Sequence, residues 1–241
     1  MTGGALKGMW DLGLVGFGNV GKGLAKILDQ KRDDLRRRYG FEYRVTFIAT
    51  GSRGSLLNPA GIDLGSALAE IGEKGNLRGH ADATEKDALS LIRGSHARVL
   101  AETTVTDLRT GEPGLTHIRT ALEGGMHVVS TNKGPVSVAL PELTALAEAK
   151  ELSYLFEGVV MSGTPALNLA RDALAGCGIS GARGIVNGTT NYILSRMEEG
   201  MGYGDALGKA QELGYAEADP TGDVEGWDAA VKAQVLAMVV L

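Results

Sequence analysis

Cysteine is nearly absent: Cys177 is the only one in 241 residues. No disulfide can form within the chain, and a reducing, cytoplasmic setting is expected. Also missing is any basic stretch interleaved with aromatic residues. With a formal net charge of −5, this excludes nucleic acid as an expected partner. The one basic run, Lys31 to Arg38, contains Asp33 and Asp34 and reads as the solvated end of a helix. No secretory leader is visible at the start. The final apolar run, residues 233–241, falls far short of the roughly 20 residues that a membrane helix needs. A soluble protein is expected.

Glycine, in contrast, is abundant: 36 of 241 residues, roughly twice the usual share. The glycines lie within apolar segments, which points to tight strand-to-helix turns and close backbone approaches. Trp10 to Val15 reads as a buried strand. Residues 19–38 carry an apolar stripe at Val20, Leu24, Ile27, Leu28 and Leu35, which predicts one helix. Arg44 to Ala49 is β-branched and aromatic, a second strand. Further strands are expected at 98–102, 127–130 and 153–156. Helices are expected at 64–73, 86–92, 112–123 and 141–150. This alternation predicts a doubly wound, Rossmann-like α/β sheet, parallel and covered on both faces. Beyond it, helices at 165–175, 190–199, 203–213 and 225–241 and a strand at 183–186 predict a second α/β region. The expected division is 1–140 for nucleotide binding and 141–241 for catalysis and dimerisation.

Gly16-Phe17-Gly18-Asn19-Val20-Gly21 is G-x-G-x-x-G between a strand and a helix, the dinucleotide fingerprint in its proper context. The first glycine permits the turn. The second lets backbone approach a pyrophosphate, and the third lets helix and strand pack closely. The helix N-terminus then offers N–H groups to phosphate. An acidic residue after the second strand would favour NAD. Here Ser52 and Arg53 follow Ala49-Thr50-Gly51, and both suit a 2′-phosphate. NADP is therefore expected, with NAD as the alternative.

Ser130-Thr131-Asn132-Lys133 follows a strand, which places Lys133 at the ligand edge of the sheet. Asn187-Gly188-Thr189-Thr190-Asn191 reads as a polar helix start, with either Thr189 or Thr190 capping the helix or the group lining a small charged substrate. Asp228 and Lys232 share one face of the last helix at i, i+4. The rest of that helix is apolar nearly all round, so burial is expected. A lysine in a closed pocket beside a carboxylate reads as a general acid.

Together the stretches GFGNVG, ETTVTDL, STNKGP, FEGVVMSGTPAL, GIVNGTTNYILSRM and LGYAEADPTGDVEGWDAAVK resemble the homoserine dehydrogenase family. The resemblance implies NAD(P)-dependent interconversion of L-homoserine and L-aspartate 4-semialdehyde, on the route to threonine, methionine and isoleucine, in a homodimer. It implies Lys232 as proton donor, with Asp228, Glu217 and Lys133 as further catalytic groups. Glu217 would bind the substrate ammonium, with Asp223, Asp228, Asn187, Gly188, Thr189 and Tyr215 in the same pocket. Thr103, Thr104, Ser130 and Lys133 would join the glycine turn, Ser52 and Arg53 around the cofactor. A monovalent cation, sodium or potassium, would take the Glu157 carboxylate and the carbonyls of Val160, Ser162 and Thr164. The family continues beyond the DAAVK helix, whereas this chain stops at Leu241 without a C-cap signal. A fragment or a shortened gene is expected, without an aspartokinase or regulatory domain. The competing readings are another amino-acid-pathway NADP oxidoreductase and an inactive NADP-binding protein.

Overall fold

The computed structural model describes residues 8–241; residues 1–7, where the reading for a leader begins, lie outside the described residues. The chain forms two units, one through Phe156 and one from Glu157 to Leu241.

The first unit holds strands β1 (Met9–Val15), β2 (Glu42–Ala49), β3 (Ser55–Leu57), β4 (Ala83–Thr84), β5 (Val99–Glu102), β6 (His127–Ser130) and β7 (Tyr154–Leu155). They make one sheet in the order β4-β3-β2-β1-β5-β6-β7. The neighbours from β2 through β7 on the β1 side pair in parallel, while β3 and β4 turn back antiparallel at one edge. Its helices are α1 (Asn19–Gln30), α2 (Arg32–Tyr39), α3 (Leu64–Lys74), α4 (Ala88–Gly94), α5 (Gly114–Glu123) and α6 (Lys133–Ala149). Continuous apolar strands need cover on both faces, and Leu14, Tyr43, Val45, Phe47, Ile48 and Leu100 are buried. The strand order reverses between β1 and β5. That is the switch point at which such sheets bind ligands, beyond the carboxyl ends of the strands.

Three departures from the expected elements have local causes. The single helix predicted over 19–38 breaks at Lys31, where Asp33 and Asp34 supply a new acidic first turn for α2. The helix predicted at 141–150 starts earlier, at Lys133, because the Asn132 side chain caps it through the Gly134 N–H. It then kinks at Ala139, before Pro141. Finally, α6 packs on α5 and β7 pairs with β6. The first unit therefore extends through Phe156 instead of ending at 140.

The second unit contains α7 (Ala166–Asn168), a five-residue π turn at Leu169–Ala173, α8 (Gly188–Glu198), α9 (Tyr203–Glu212), α10 (Thr221–Val224) and α11 (Trp227–Val240). Ile193, Ala206, Ala210 and Ala216 form a small core with Tyr192, Leu207 and Val224 against it. The strand predicted at 183–186 is not formed. No strand lies among the described residues of this unit, and an extended segment without a partner has no ladder to join. The helix predicted at 165–175 is reduced to α7 and the π turn. The last helix is not buried all round: Val231 and Val235 are buried, while Trp227 and Met238 stay exposed.

Candidate functional site

A cavity of about 510 Å³ opens at the carboxyl ends of β1, β2 and β5. The glycine turn forms one wall. Gly16 has φ +93°, and a Cβ there would stand 2.4 Å from the Thr103 carbonyl group. A Cβ on Gly21 would stand 2.2 Å from the Gly16 carbonyl oxygen. Gly18, in contrast, has open space on that side, as backbone that meets a ligand requires. Thr103 closes the turn from the other strand: its N–H donates to the Val15 carbonyl at 2.7 Å and its hydroxyl to that of Gly16 at 2.9 Å.

Ser52 and Arg53 lie in a loop that is held rigid. The Thr50 hydroxyl accepts from the Arg53 N–H at 2.8 Å and donates to the Gly54 carbonyl at 2.7 Å. Arg78 donates to the Ser52 carbonyl at 2.8 Å. The Arg53 guanidinium itself is exposed and makes no hydrogen bond among the described residues. This arrangement fits a phosphate-bearing dinucleotide: an open helix N-terminus for the pyrophosphate and a guanidinium at the second strand's end.

Of the residues expected around a cofactor, Gly16, Phe17, Gly18, Ser52, Arg53, Thr103 and Thr104 line the cavity. Asn19, Val20 and Gly21 sit behind it in the first turn of α1, and Ser130 and Lys133 belong to the β6–α6 junction. The sequence reading missed Asp87 to Leu89, Pro113 and His117, which line the cavity from α4 and α5. Asp87 was legible as an N-cap: it accepts from the Ser90 N–H at 2.7 Å. The Ser90 side chain and N–H hold its carboxyl below the usual carboxylate range. His117 is buried, and its Nδ1 has no hydrogen-bond partner among the described residues. Burial holds its imidazole below the usual range, against the pull of the Glu102, Glu112 and Asp87 carboxylates.

The second unit gathers a different set. Lys232 Nζ lies 2.6 Å from Asp228 Oδ2, and both side chains are only 14% exposed. The same ammonium donates to the Val186 carbonyl at 2.7 Å. A lysine has three N–H donors; among the described residues the third has no partner. Asn187 uses both ends of its amide. Its oxygen caps α8 through the Thr190 N–H at 2.8 Å, and its nitrogen donates to Asp223 Oδ1 and Asp228 Oδ2, each at 2.7 Å. Asn187 thus gathers two carboxylates and one ammonium into one cluster. Gly188 and Thr189 open α8, and the Thr189 hydroxyl donates to the Tyr215 carbonyl at 2.7 Å. The Tyr215 ring is exposed and stands 4.8 Å from that of Tyr192. Glu217 forms no ion pair with the lysine among the described residues. The Glu217 side chain is exposed, and its backbone carbonyl accepts from Gln211 at 3.1 Å.

Two of the four residues expected around a cation also accept hydrogen bonds from the chain. The Glu157 carboxylate accepts from the N–H groups of Leu167 and Asn168 at 3.0 and 2.8 Å. The Thr164 carbonyl accepts from the Ala166 N–H at 2.8 Å. Val160 is buried and Ser162 turns with φ +52°. A carboxylate or carbonyl oxygen keeps further lone pairs beyond one hydrogen bond, so these oxygens suit a hard cation; no step below is routed through a metal. Among the described residues no three His, Cys, Asp or Glu side chains cluster to hold one.

Ser66, His80 and Asp82 imitate a hydrolytic triad in spacing only. The Asp82 N–H donates to His80 Nδ1 at 3.0 Å, so Nδ1 is the acceptor and Nε2 carries the proton. Nε2 faces the Ser66 hydroxyl at 2.7 Å, whose own hydrogen goes to the Asp63 carbonyl. A histidine already protonated toward serine cannot act as its base. The group ties α3 to the segment before β4.

Residues 165–241 match the family model described as homoserine dehydrogenase. The chain is 42% identical over 230 residues to the NAD(+)-dependent homoserine dehydrogenase of Pseudomonas canavaninivorans, covering 95% of this chain and 65% of that one. It is also 42% identical to the homoserine dehydrogenase of Methanocaldococcus jannaschii, covering 94% of this chain and 68% of that one. A hyperthermophilic archaeal homoserine dehydrogenase solved in complex with NADPH superposes with a TM-score of 0.82 at 28% identity, over 97% of this chain and 70% of its own. The chain thus spans about two thirds of the length of these relatives.

Proposed function

Since the chain belongs to the homoserine dehydrogenase family, we propose that it interconverts L-homoserine and L-aspartate 4-semialdehyde with NADP, NAD being the alternative cofactor, as a homodimer in threonine, methionine and isoleucine biosynthesis. The observation that carries this reading is the Lys232 ammonium, held by Asp228 and the Val186 carbonyl with one N–H left over.

The dinucleotide, when bound, supplies or takes the hydride. The chain's own residues do the rest. The free N–H of Lys232 meets the substrate oxygen and delivers its proton as that oxygen becomes an alkoxide; in the other direction Lys232 takes the hydroxyl proton. Asp228 and the Val186 carbonyl aim the ammonium and keep its rotation from wasting the third donor. Asn187 holds Asp223 and Asp228 together, so that both carboxylates face the substrate ammonium, with Glu217 joining them once substrate is present. The main chain at Gly188 and the side chains of Thr189 and Tyr215 complete the wall. Lys133 acts beside the nicotinamide, and Gly16 to Gly21, Ser52, Arg53, Thr103, Thr104 and Ser130 hold the dinucleotide.

Lys232→Ala tests the assignment. Turnover of homoserine should fall by about 10²- to 10⁴-fold, the size of a lost general acid, while NADPH affinity by fluorescence stays within about twofold, since the interaction is made in the transition state. Unchanged turnover in a folded Lys232→Ala protein contradicts the role.

A further inference from the structure

The cavity wall at β5 rests on a buried acid that the proposed reaction does not use. Glu102 ends β5 and is 0% exposed. Its Oε1 accepts from the Thr104 N–H at 2.9 Å and from the Thr104 hydroxyl, and its Oε2 accepts from the Ser130 hydroxyl at 3.0 Å. The direction of these bonds is set by a third residue. Asn132 donates its backbone N–H to the Ser130 oxygen at 3.0 Å and its side-chain nitrogen to the Thr104 oxygen at 3.4 Å. Both hydroxyls are therefore acceptors for Asn132 and turn their hydrogens toward Glu102. The start of α5 adds to this: a Cβ on Gly114 would stand 3.2 Å from Glu102 Oε2, so the carboxyl lies against a helix N-terminus and its positive end. Each of these neighbours presents a hydrogen or a positive pole to the carboxylate, which serves as an acceptor on both oxygens. Among the described residues no lysine or arginine pairs with it, and His117, the nearest imidazole in the wall, is kept toward its neutral form by burial. A buried anion without a cation is costly and rare.

The strand order states which end of a dinucleotide lies above it. The adenosine half belongs to the β2 side, beyond Ser52 and Arg53, and the pyrophosphate to the β1–α1 turn. The nicotinamide half falls beyond β5 and β6, the two strands whose last residues are Glu102 and Ser130. The nicotinamide ring is cationic when oxidised and neutral when reduced. We propose that Glu102 is an electrostatic positioning residue: its buried negative charge beneath the β5–β6 edge favours the oxidised over the reduced cofactor, and its hydrogen bonds fix the Thr104 and Asn132 loops against each other. The inference rests on reading the cavity as a nicotinamide dinucleotide site.

The test is the ratio of dissociation constants for NADP⁺ and NADPH, measured by calorimetry on the full chain. Glu102→Gln keeps the side chain's shape and removes its charge. The ratio Kd(NADP⁺)/Kd(NADPH) should rise several-fold, as expected when a single buried charge near the nicotinamide is removed at an effective dielectric of about 20. Glu102→Asp, which keeps the charge, should hold the wild-type ratio. If Glu102→Gln does not fold, Glu102→Ser provides a smaller neutral replacement with the same expectation. A purely structural role would weaken both cofactors by the same factor and leave the ratio unchanged, which overturns the inference. Failure of the wild-type chain to bind either cofactor would instead overturn the dinucleotide reading on which it depends.

Discussion

At the scale of single residues, local spacing and tertiary placement contribute unequally. The Asp228–Lys232 pair was legible because i, i+4 positions must share a helix face. What the lysine does with its other donors was not legible, since the Val186 carbonyl comes from a segment 46 residues away. Thr189 or Thr190 was expected to cap α8; the cap is Asn187 instead, and its other amide end bridges two carboxylates. Glu102 and His117 gave no signal in sequence, because each becomes special only when β5 and α5 close around it. His117 has a consequence for stability. Its folded-state pKa is depressed by burial, so on acidification the unfolded chain takes the proton first and stability drains away as pH falls below the usual histidine range of about 6.5. Thermal unfolding between about pH 7 and pH 5 should show a steeper loss of Tm in the wild type than in His117→Gln. Parallel curves for the two proteins would contradict that assignment.

At the scale of elements, the strands of the sheet centre were legible from β-branched runs, and the glycine turn from its three glycines. The short antiparallel pair β3 and β4 was not: with three and two residues it is too brief for any periodicity to register. The break between α1 and α2 was hidden because the apolar stripe continues across it, while the charges at Asp33 and Asp34 decide where the second helix starts. The strand predicted at 183–186 shows the opposite error. Its composition favours extension, but pairing decides whether a strand exists. Two glycines of α1 separate packing from propensity. Gly21→Ala should destabilise the chain by about 1–3 kcal/mol, the usual cost of overpacking, and weaken NADPH binding, because its Cβ would meet backbone at the Gly16 carbonyl. Gly23→Ala, with nothing within 4 Å of its new Cβ, should stabilise by about 0.5–1 kcal/mol. Paired melting curves decide this; equal shifts of the same sign would refute the packing account.

At the scale of the whole molecule, the doubly wound class followed from alternation of strands and helices, but the limit of the first unit did not. The sequence pattern already carried the alternation through 153–156, yet the division was expected at 140; with α6 and β7 in the first unit it falls at Phe156. Each unit carries one half of the proposed chemistry: a dinucleotide cavity in the first, and an acid-held lysine in the second. The account's central claim is that these halves serve one oxidation. The most direct measurement is reduction of NADP⁺ on addition of L-homoserine at alkaline pH, followed at the reduced nicotinamide band, with NAD⁺ in parallel. The account predicts homoserine-dependent absorbance that is faster with NADP⁺, whose 2′-phosphate meets Arg53. NADPH binding without any homoserine-dependent reduction of either cofactor would contradict it.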